Sequence, residues 1–320
     1  MRIALLNSGL GLLAAAAWLH RLRPDADLVL AMDPDGMPWG ARAPADIAER
    51  SLSCARAAAA YQPDVLVFAC NTGSVHALGA LREEFEPGIP VVGTVPAIKP
   101  AATASDAVAI WATSATTGSA YQRRLISEFA ACARVAEVAC PGLAEAIHAG
   151  DEAAARMAVS DAAARTPADC RAIVLGCTEY ELAADLIGGA LPGAALFGSA
   201  AAVAAQTLRR VGNSGAAANS SLMLHGDAPN GSVTARDPGM GVLRVLLSGR
   251  PSNLPPAALR YPEGRLLSAM PAGPLPSGPA AAASPADGQP AGPTRATPPS
   301  PAAGPPARPS RATPPSPARS

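Results

Sequence analysis

Lysine is nearly missing from this chain: Lys99 is the single one among 320 residues, and arginine carries almost every other positive charge. Chemistry that runs through a lysine Schiff base therefore has one candidate, held between Pro96 and Pro100. Net charge is also lacking, since 25 basic side chains balance 25 acidic ones. That balance argues against a nucleic-acid binder, which needs a basic excess. No Cys-x-x-Cys occurs, and the four histidines show no zinc-like spacing with the six cysteines, so no metal site is expected. A chain of this size buries a core without disulfide staples, and reduced thiols in a cytoplasmic protein are the reading adopted. Aromatic residues make up only 3%. No stretch is long and apolar enough to span a bilayer.

What the chain does have is a pair of cysteines in matching settings. Val65-Leu66-Val67-Phe68-Ala69-Cys70-Asn71-Thr72 is an apolar run ending in a small residue, then Cys, with Thr close behind. Ala172-Ile173-Val174-Leu175-Gly176-Cys177-Thr178 repeats the pattern. Each run is short, continuously apolar and rich in branched residues, which reads as a buried parallel strand. Ligands of open α/β sheets bind just past the carboxyl ends of the strands. Two thiols placed there suggest a sulfur on either face of a substrate, an arrangement suited to moving a proton across a carbon.

Strands are expected at 3–6, 28–31, 65–68, 91–92, 108–111 and 173–175. Helices are expected at 11–22, 44–61, 76–86, 117–132 and 151–165. The start of the chain resembles a signal peptide, but Asn7-Ser8-Gly9 breaks the apolar stretch and Pro24 ends the next one, so strand–turn–helix is preferred. The alternation predicts an α/β protein: two similar lobes, parallel sheets flanked by helices, and a cleft between them. The expected boundaries are 1–97 plus about 200–230 for the first lobe and 98–199 for the second. A tail over 250–320 is expected to be disordered and dispensable for catalysis. Residues 251–320 hold 20 of the 34 prolines, and RATPPSPA occurs at both 295–302 and 311–318. Such a composition offers little burial against its ordering entropy.

Asn7-Ser8-Gly9-Leu10-Gly11-Leu12, Asp33 followed by Pro38-Trp39-Gly40, Ala69-Cys70-Asn71-Thr72 and Gly176-Cys177-Thr178 stand in the order found in glutamate racemases. Ala112–Thr116 with Ser119 and Tyr121-Gln122-Arg123, and Cys140-Pro141, are similar too, as is Lys99 after Pro96. The resemblance to the aspartate/glutamate racemase superfamily covers about residues 1–230, with Leu222–Ala228 similar to its last strand and turn. It implies an isomerase that needs no cofactor and interconverts L- and D-glutamate in the cytoplasm, supplying D-glutamate for peptidoglycan and so for cell shape. The implied partner is a small-molecule amino acid, glutamate or aspartate, with no nucleic acid and no membrane; a homodimer is compatible with it. By the same carry-over Cys70 and Cys177 are the two proton-transfer groups, with Asn7 and Glu179 beside them. Ser8, Pro38, Trp39, Gly40, Asn71, Thr72, Thr116 and Thr178 would bind the substrate. A thiolate accepts a proton and the thiol returns it, so one sulfur serves as base in one direction and acid in the other.

Three departures from the family pattern stand out. Asn7 replaces an Asp, and an amide cannot take up a proton near neutral pH. Glu179 replaces the usual His and looks more like the aspartate racemase branch. Trp39 replaces a Tyr. A carboxylate near a thiol disfavours the thiolate, so Cys177 is expected to rest protonated and Cys70 nearer thiolate. Two other functions stay open: an aspartate or broad-specificity racemase, and a weakly active or non-enzymatic binding protein. His76 is read as solvated or capping, His148 as a surface residue, and Asp33 and Asp35 as parts of a turn.

Overall fold

The computed structural model of the protein describes residues 1–215 and 239–274. The first half alternates β1 (Arg2–Asn7), α1 (Leu12–Leu22), β2 (Asp27–Met32), α2 (Pro44–Ala59), β3 (Val65–Phe68), α3 (Asn71–Phe85) and β4 (Val91–Val92). The second runs α4 (Ile98–Ala104), β5 (Ala107–Ala112), α5 (Ala120–Phe129), β6 (Arg134–Ala139), α6 (Leu143–Ala149), α7 (Glu152–Arg165), β7 (Ala172–Leu175), α8 (Ala184–Ala190) and β8 (Ala195–Phe197). Then come α9 (Ala200–Gly215), β9 (Leu243–Leu247), β10 (Arg250–Ser252) and α10 (Pro262–Ser268).

Two sheets result, ordered β10-β9-β2-β1-β3-β4 and β6-β5-β7-β8. Among the described residues all strand pairings are parallel except β9 with β10. The central strands are apolar throughout because helices cover both their faces. On β1, Ile3 and Leu5 pack with Leu12, Leu13 and Leu19 of α1, while Ala4 and Leu6 pack with Ile47 and Ala58 of α2 and Leu81 of α3. On β5, Val108 and Ile110 meet Ile98 and Leu125, while Ala109 and Trp111 face Leu143, Ile147 and Val159. The α/β class with parallel sheets flanked by helices is as expected from the strand runs.

The expected tail needs correction at its start. Residues 250–274 are built into the fold: β10 closes the first sheet, a short 3-10 helix covers 256–260, and α10 follows. Prolines did not prevent this, because Pro256 and Pro262 stand at helix starts, where a missing N–H costs nothing. Ala258, Leu267 and Met270 are buried in the same cluster as α1. β9 lies beside β2, pairing Leu30 with Val245. Leu222–Ala228 and both RATPPSPA repeats lie outside the described residues.

Candidate active site

Both cysteines stand two residues past a strand, each at the residue before a helical turn. Cys70 caps α3 with extended backbone (φ −144°, ψ 123°), and Cys177 precedes the 3-10 helix over 178–183 with φ −126° and ψ 135°. Gly176 lets the second turn run close to β5, since a Cβ there would fall 2.6 Å from the Trp111 carbonyl oxygen. Cys70 and Cys177 line one cavity of about 340 Å³, at the carboxyl ends of both sheets. Volumes of this order hold small ligands.

Around the thiols the cavity is lined by Ser8, Pro38, Trp39, Gly40, Asn71, Thr72, Thr116, Thr178 and Glu179. These are the residues singled out from sequence, Asn7 excepted. Asn7 is fully buried behind the wall, where its Nδ2 donates to the Ala69 carbonyl at 2.5 Å and to Thr178 Oγ1 at 3.1 Å. Its Oδ1 accepts from Ser8 Oγ and the Gly9 N–H, each at 3.2 Å. An aspartate here would turn an oxygen toward the Ala69 carbonyl, so the amide suits its partners better than a carboxylate would. Asn7 thus ties β1 to the Cys177 turn. Asn71 makes a second tie, donating from Nδ2 to the Gly176 carbonyl at 2.8 Å. Its buried Oδ1 has no hydrogen-bond partner among the described residues.

The two thiols differ in company. Cys70 Sγ accepts from the Gly73 N–H at 3.3 Å, and the Ser8 and Thr72 N–H groups also favour its anion. Burial outweighs them, with the Glu179 charge adding to it, and the Cys70 thiol is pushed up to about 12. Cys177 Sγ–H donates to Glu179 Oε2 at 3.0 Å. Burial, the Glu179 charge and that hydrogen bond hold Cys177 well above the ordinary cysteine range. Both thiols therefore rest protonated. Cys70, expected nearer thiolate than Cys177, has the N–H groups that favour its anion, yet it too rests protonated, because a buried anion loses more hydration than three N–H dipoles return. Cys140, a third lining thiol, donates to the Val138 carbonyl at 3.6 Å and is likewise pushed up to about 12 by burial.

A model of the Asp/Glu/Hydantoin racemase family matches residues 12–207. The chain belongs to that family. It is 36% identical over 213 residues to a glutamate racemase of Pseudomonas putida strain W619, covering 65% of this chain and 80% of that one. A glutamate racemase of Herpetosiphon aurantiacus is 37% identical over 215 residues, 65% of this chain and 83% of the relative. Among solved structures, Escherichia coli glutamate racemase in complex with L-glutamate and the activator UDP-MurNAc-Ala superposes with a TM-score of 0.64 at 27% identity, over 81% of this chain and 91% of that one. The glutamate racemase of Aquifex pyrophilus gives 0.54 at 28% identity, over 66% and 84%. This racemase-family chain is an isomerase by those relationships.

Several residues that shape this candidate site escaped the sequence reading. Asp33 does sit in a turn, its carbonyl accepting from the Gly36 N–H at 3.1 Å, but its side chain is buried and clamps the cavity wall. Its Oδ2 accepts from Trp39 Nε1 at 2.9 Å and pairs with Arg50 at 3.3 Å, while Oδ1 accepts from Ser248 Oγ at 2.9 Å. Ser248 belongs to the β9–β10 turn, so the C-terminal segment braces Trp39. The Trp39 ring packs edge-on to Phe68, centroids 5.9 Å apart. An aspartate followed by a tryptophan was the available signal; Ser248 carried none. His76 is exposed, as read, whereas His148 is half-buried with its Nδ1 shut off from solvent.

Proposed function

We propose that this chain interconverts L- and D-glutamate by two-thiol proton transfer at the α-carbon, without a cofactor. The observation that carries the reading is the meeting of Cys70 and Cys177 in one small cavity lined by hydroxyls, amides and turn backbone. One thiol, as thiolate, takes the α-proton, and the other delivers a proton to the opposite face. The ammonium of the amino acid finds an acceptor in the unpartnered Asn71 Oδ1. Its carboxylates fit the first-turn N–H groups of α3 and the Thr72, Thr116 and Thr178 hydroxyls. Because both thiols rest protonated, the base forms as the substrate arrives. An ammonium beside Sγ favours the thiolate by its charge, so ionisation and binding are coupled. Lys99 is exposed on α4 and does not line the cavity, which leaves Schiff-base chemistry without a lysine at the site. D-Glutamate made this way would feed peptidoglycan synthesis.

A second reading, an aspartate or broad-specificity racemase, is favoured by Glu179 beside Cys177 and by the bulk of Trp39 on the wall. Incubating the full chain with each enantiomer of glutamate and aspartate in deuterated water, and following Cα deuterium and optical inversion, tests both. Inversion of glutamate supports the first reading, and inversion of aspartate alone moves the assignment to the second. No exchange with any of the four, from folded protein, overturns the racemase reading.

A further inference from the structure

His148 lies on α6, outside the cavity lining, and its Nδ1 is a buried atom with no hydrogen-bond partner among the described residues. A buried nitrogen left in that state is costly unless another state of the protein uses it. The place it faces is informative. The point where a Cβ on Gly9 would stand is 2.8 Å from His148 Nδ1 and 3.2 Å from Glu179 Oε1. The glycine thus leaves room for the imidazole, the carboxylate and the Met37 sulfur, which would stand 3.0 Å from the same point. The other oxygen of Glu179, Oε2, accepts the Cys177 thiol proton at 3.0 Å. Glu179 thus holds the thiol with Oε2, while Oε1, which accepts from the Gly11 N–H at 3.2 Å, lies on the side of the imidazole without a hydrogen bond to it.

We propose that His148 is a positioning residue for Cys177, acting through Glu179 as the terminal holder of the thiol proton. The inference rests on the reading of Cys177 as a proton-transfer group. In the first step the S–H bond of Cys177 breaks and an O–H bond forms on Glu179. The carboxylate loses its charge as the thiolate gains one, so in this step only one of the two is an anion. In the second step the carboxyl group turns its O–H from the Cys177 side toward the Gly9 side, the O–H bond breaks as an N–H bond forms at the Nδ1 lone pair, and the imidazolium offsets the charge of Glu179, which is again an anion beside the thiolate. Delivery of a proton from Cys177 to substrate runs the same steps in reverse, and no proton or electron is gained or lost.

The groups around the imidazole are consistent with this use. From the 3-10 helix after Cys177 comes Glu179, whose charge favours protonated His148, while burial, the larger effect, keeps the ring neutral and able to accept. From the 3-10 helix at 256–260 and the residue after it come Arg260, packed against Gly150, and Tyr261, whose hydroxyl donates to the Ile147 carbonyl at 2.6 Å. From α7, Glu152 is engaged by Arg156, and on α6 itself Glu145 lines the cavity. Of these, Glu179 is the charge that acts on His148.

The test uses the full chain and a His148→Gln variant, with His148→Asn as a second if the first melts early. Alkylation of Cys70 and Cys177 by iodoacetamide is followed by peptide mass spectrometry from about pH 6 to 10. The expected result is that Cys177 alkylation near neutral pH slows about tenfold in the variant and its midpoint moves up, while Cys70 is unchanged. Racemisation, where the wild type shows it, should lose about 10²-fold in kcat/KM together with the acid limb of its pH profile. A folded variant with an unchanged Cys177 alkylation profile, or one that slows both cysteines alike, overturns the proposal. If the wild type racemises nothing, the functional reading fails, and the alkylation result still decides the role of His148.

Discussion

Cys70 and Cys177 occupy the same station in two different sheets, past a buried parallel strand and ahead of a helical turn, yet their neighbours are of different kinds. Cys70 meets backbone N–H groups at the start of a 15-residue helix. Cys177 meets a carboxylate, and the turn after it is a six-residue 3-10 helix. A dipolar neighbour stabilises a thiolate without exchanging protons, whereas a carboxylate opposes the thiolate and can take its proton. The same architecture therefore gives one thiol fixed dipoles and the other a carboxylate acceptor. Geometry repeated between the halves does not bring repeated electrostatics with it.

The comparison is broken most severely by removing either sulfur. Cys70→Ser and Cys177→Ser should each lower racemisation by about 10³-fold or more, measured by optical inversion of the preferred enantiomer, since an alcohol is a far weaker acid than a thiol and supplies no anion to act as base. Near-wild-type turnover in either variant would end the two-thiol account.

Glu179→Gln sharpens the comparison, because it makes Cys177 more like Cys70. With the carboxylate gone, the charge that opposes both thiolates disappears, so the Cys177 ionisation midpoint should fall, with a smaller fall at Cys70. Thiolate absorbance against pH reads this directly. A rise at Cys177 would contradict the assigned sign.

The shared property of the buried thiols is tested by alkaline stability. Cys54, Cys70 and Cys140 are each raised from 9.0 to about 12 in the fold. Between those values the unfolded chain has released these protons and the native chain has not, so stability is full below about pH 9 and is lost progressively as pH rises toward 12. The melting temperature should fall steeply over that window, and Cys54→Ala, remote from the cavity, should make the fall shallower. An equal slope in the variant would remove Cys54 from this linkage.

The smallest effect is expected at Ser248→Ala, which touches neither thiol. Losing its hydrogen bond to Asp33 should cost about 1 kcal/mol and lower the melting temperature by about 2–4 °C. With Trp39 less firmly held, KM should rise several-fold while kcat stays near its wild-type value. A fall in kcat with unchanged KM would separate the Asp33 clamp from substrate binding.

Strands were legible wherever a short apolar run was buried on both faces, as at 65–68 and 172–175. β6 escaped notice because it is an edge strand with Arg134 and Glu137 exposed, and β8 because three residues carry too little pattern. The order of β10 and α10 was hidden beneath a proline-rich composition, since burial of Leu267 and Met270 depends on finding α1. The cavity lining was legible where its residues stand in turns that follow strands, beside the two cysteines, at Ser8, at the 38–40 turn and at Thr116. Asn7 was read with the site and lies behind it, since a side chain's direction at a strand end is set by what faces it.

Sequence alone determined the parallel sheets, the two cysteine turns at their carboxyl ends and the polar residues around them. Such features are carried by near neighbours in the chain, through hydrophobic period, turn chemistry and helix starts. Only the tertiary structure decided that Ser248 reaches Asp33 across 215 residues, that Asn7 bonds Thr178 across 171, and that His148 faces Glu179 beside Gly9. Those contacts arise where separately folded strands and helices pack, and burial then sets the protonation of the groups that meet there.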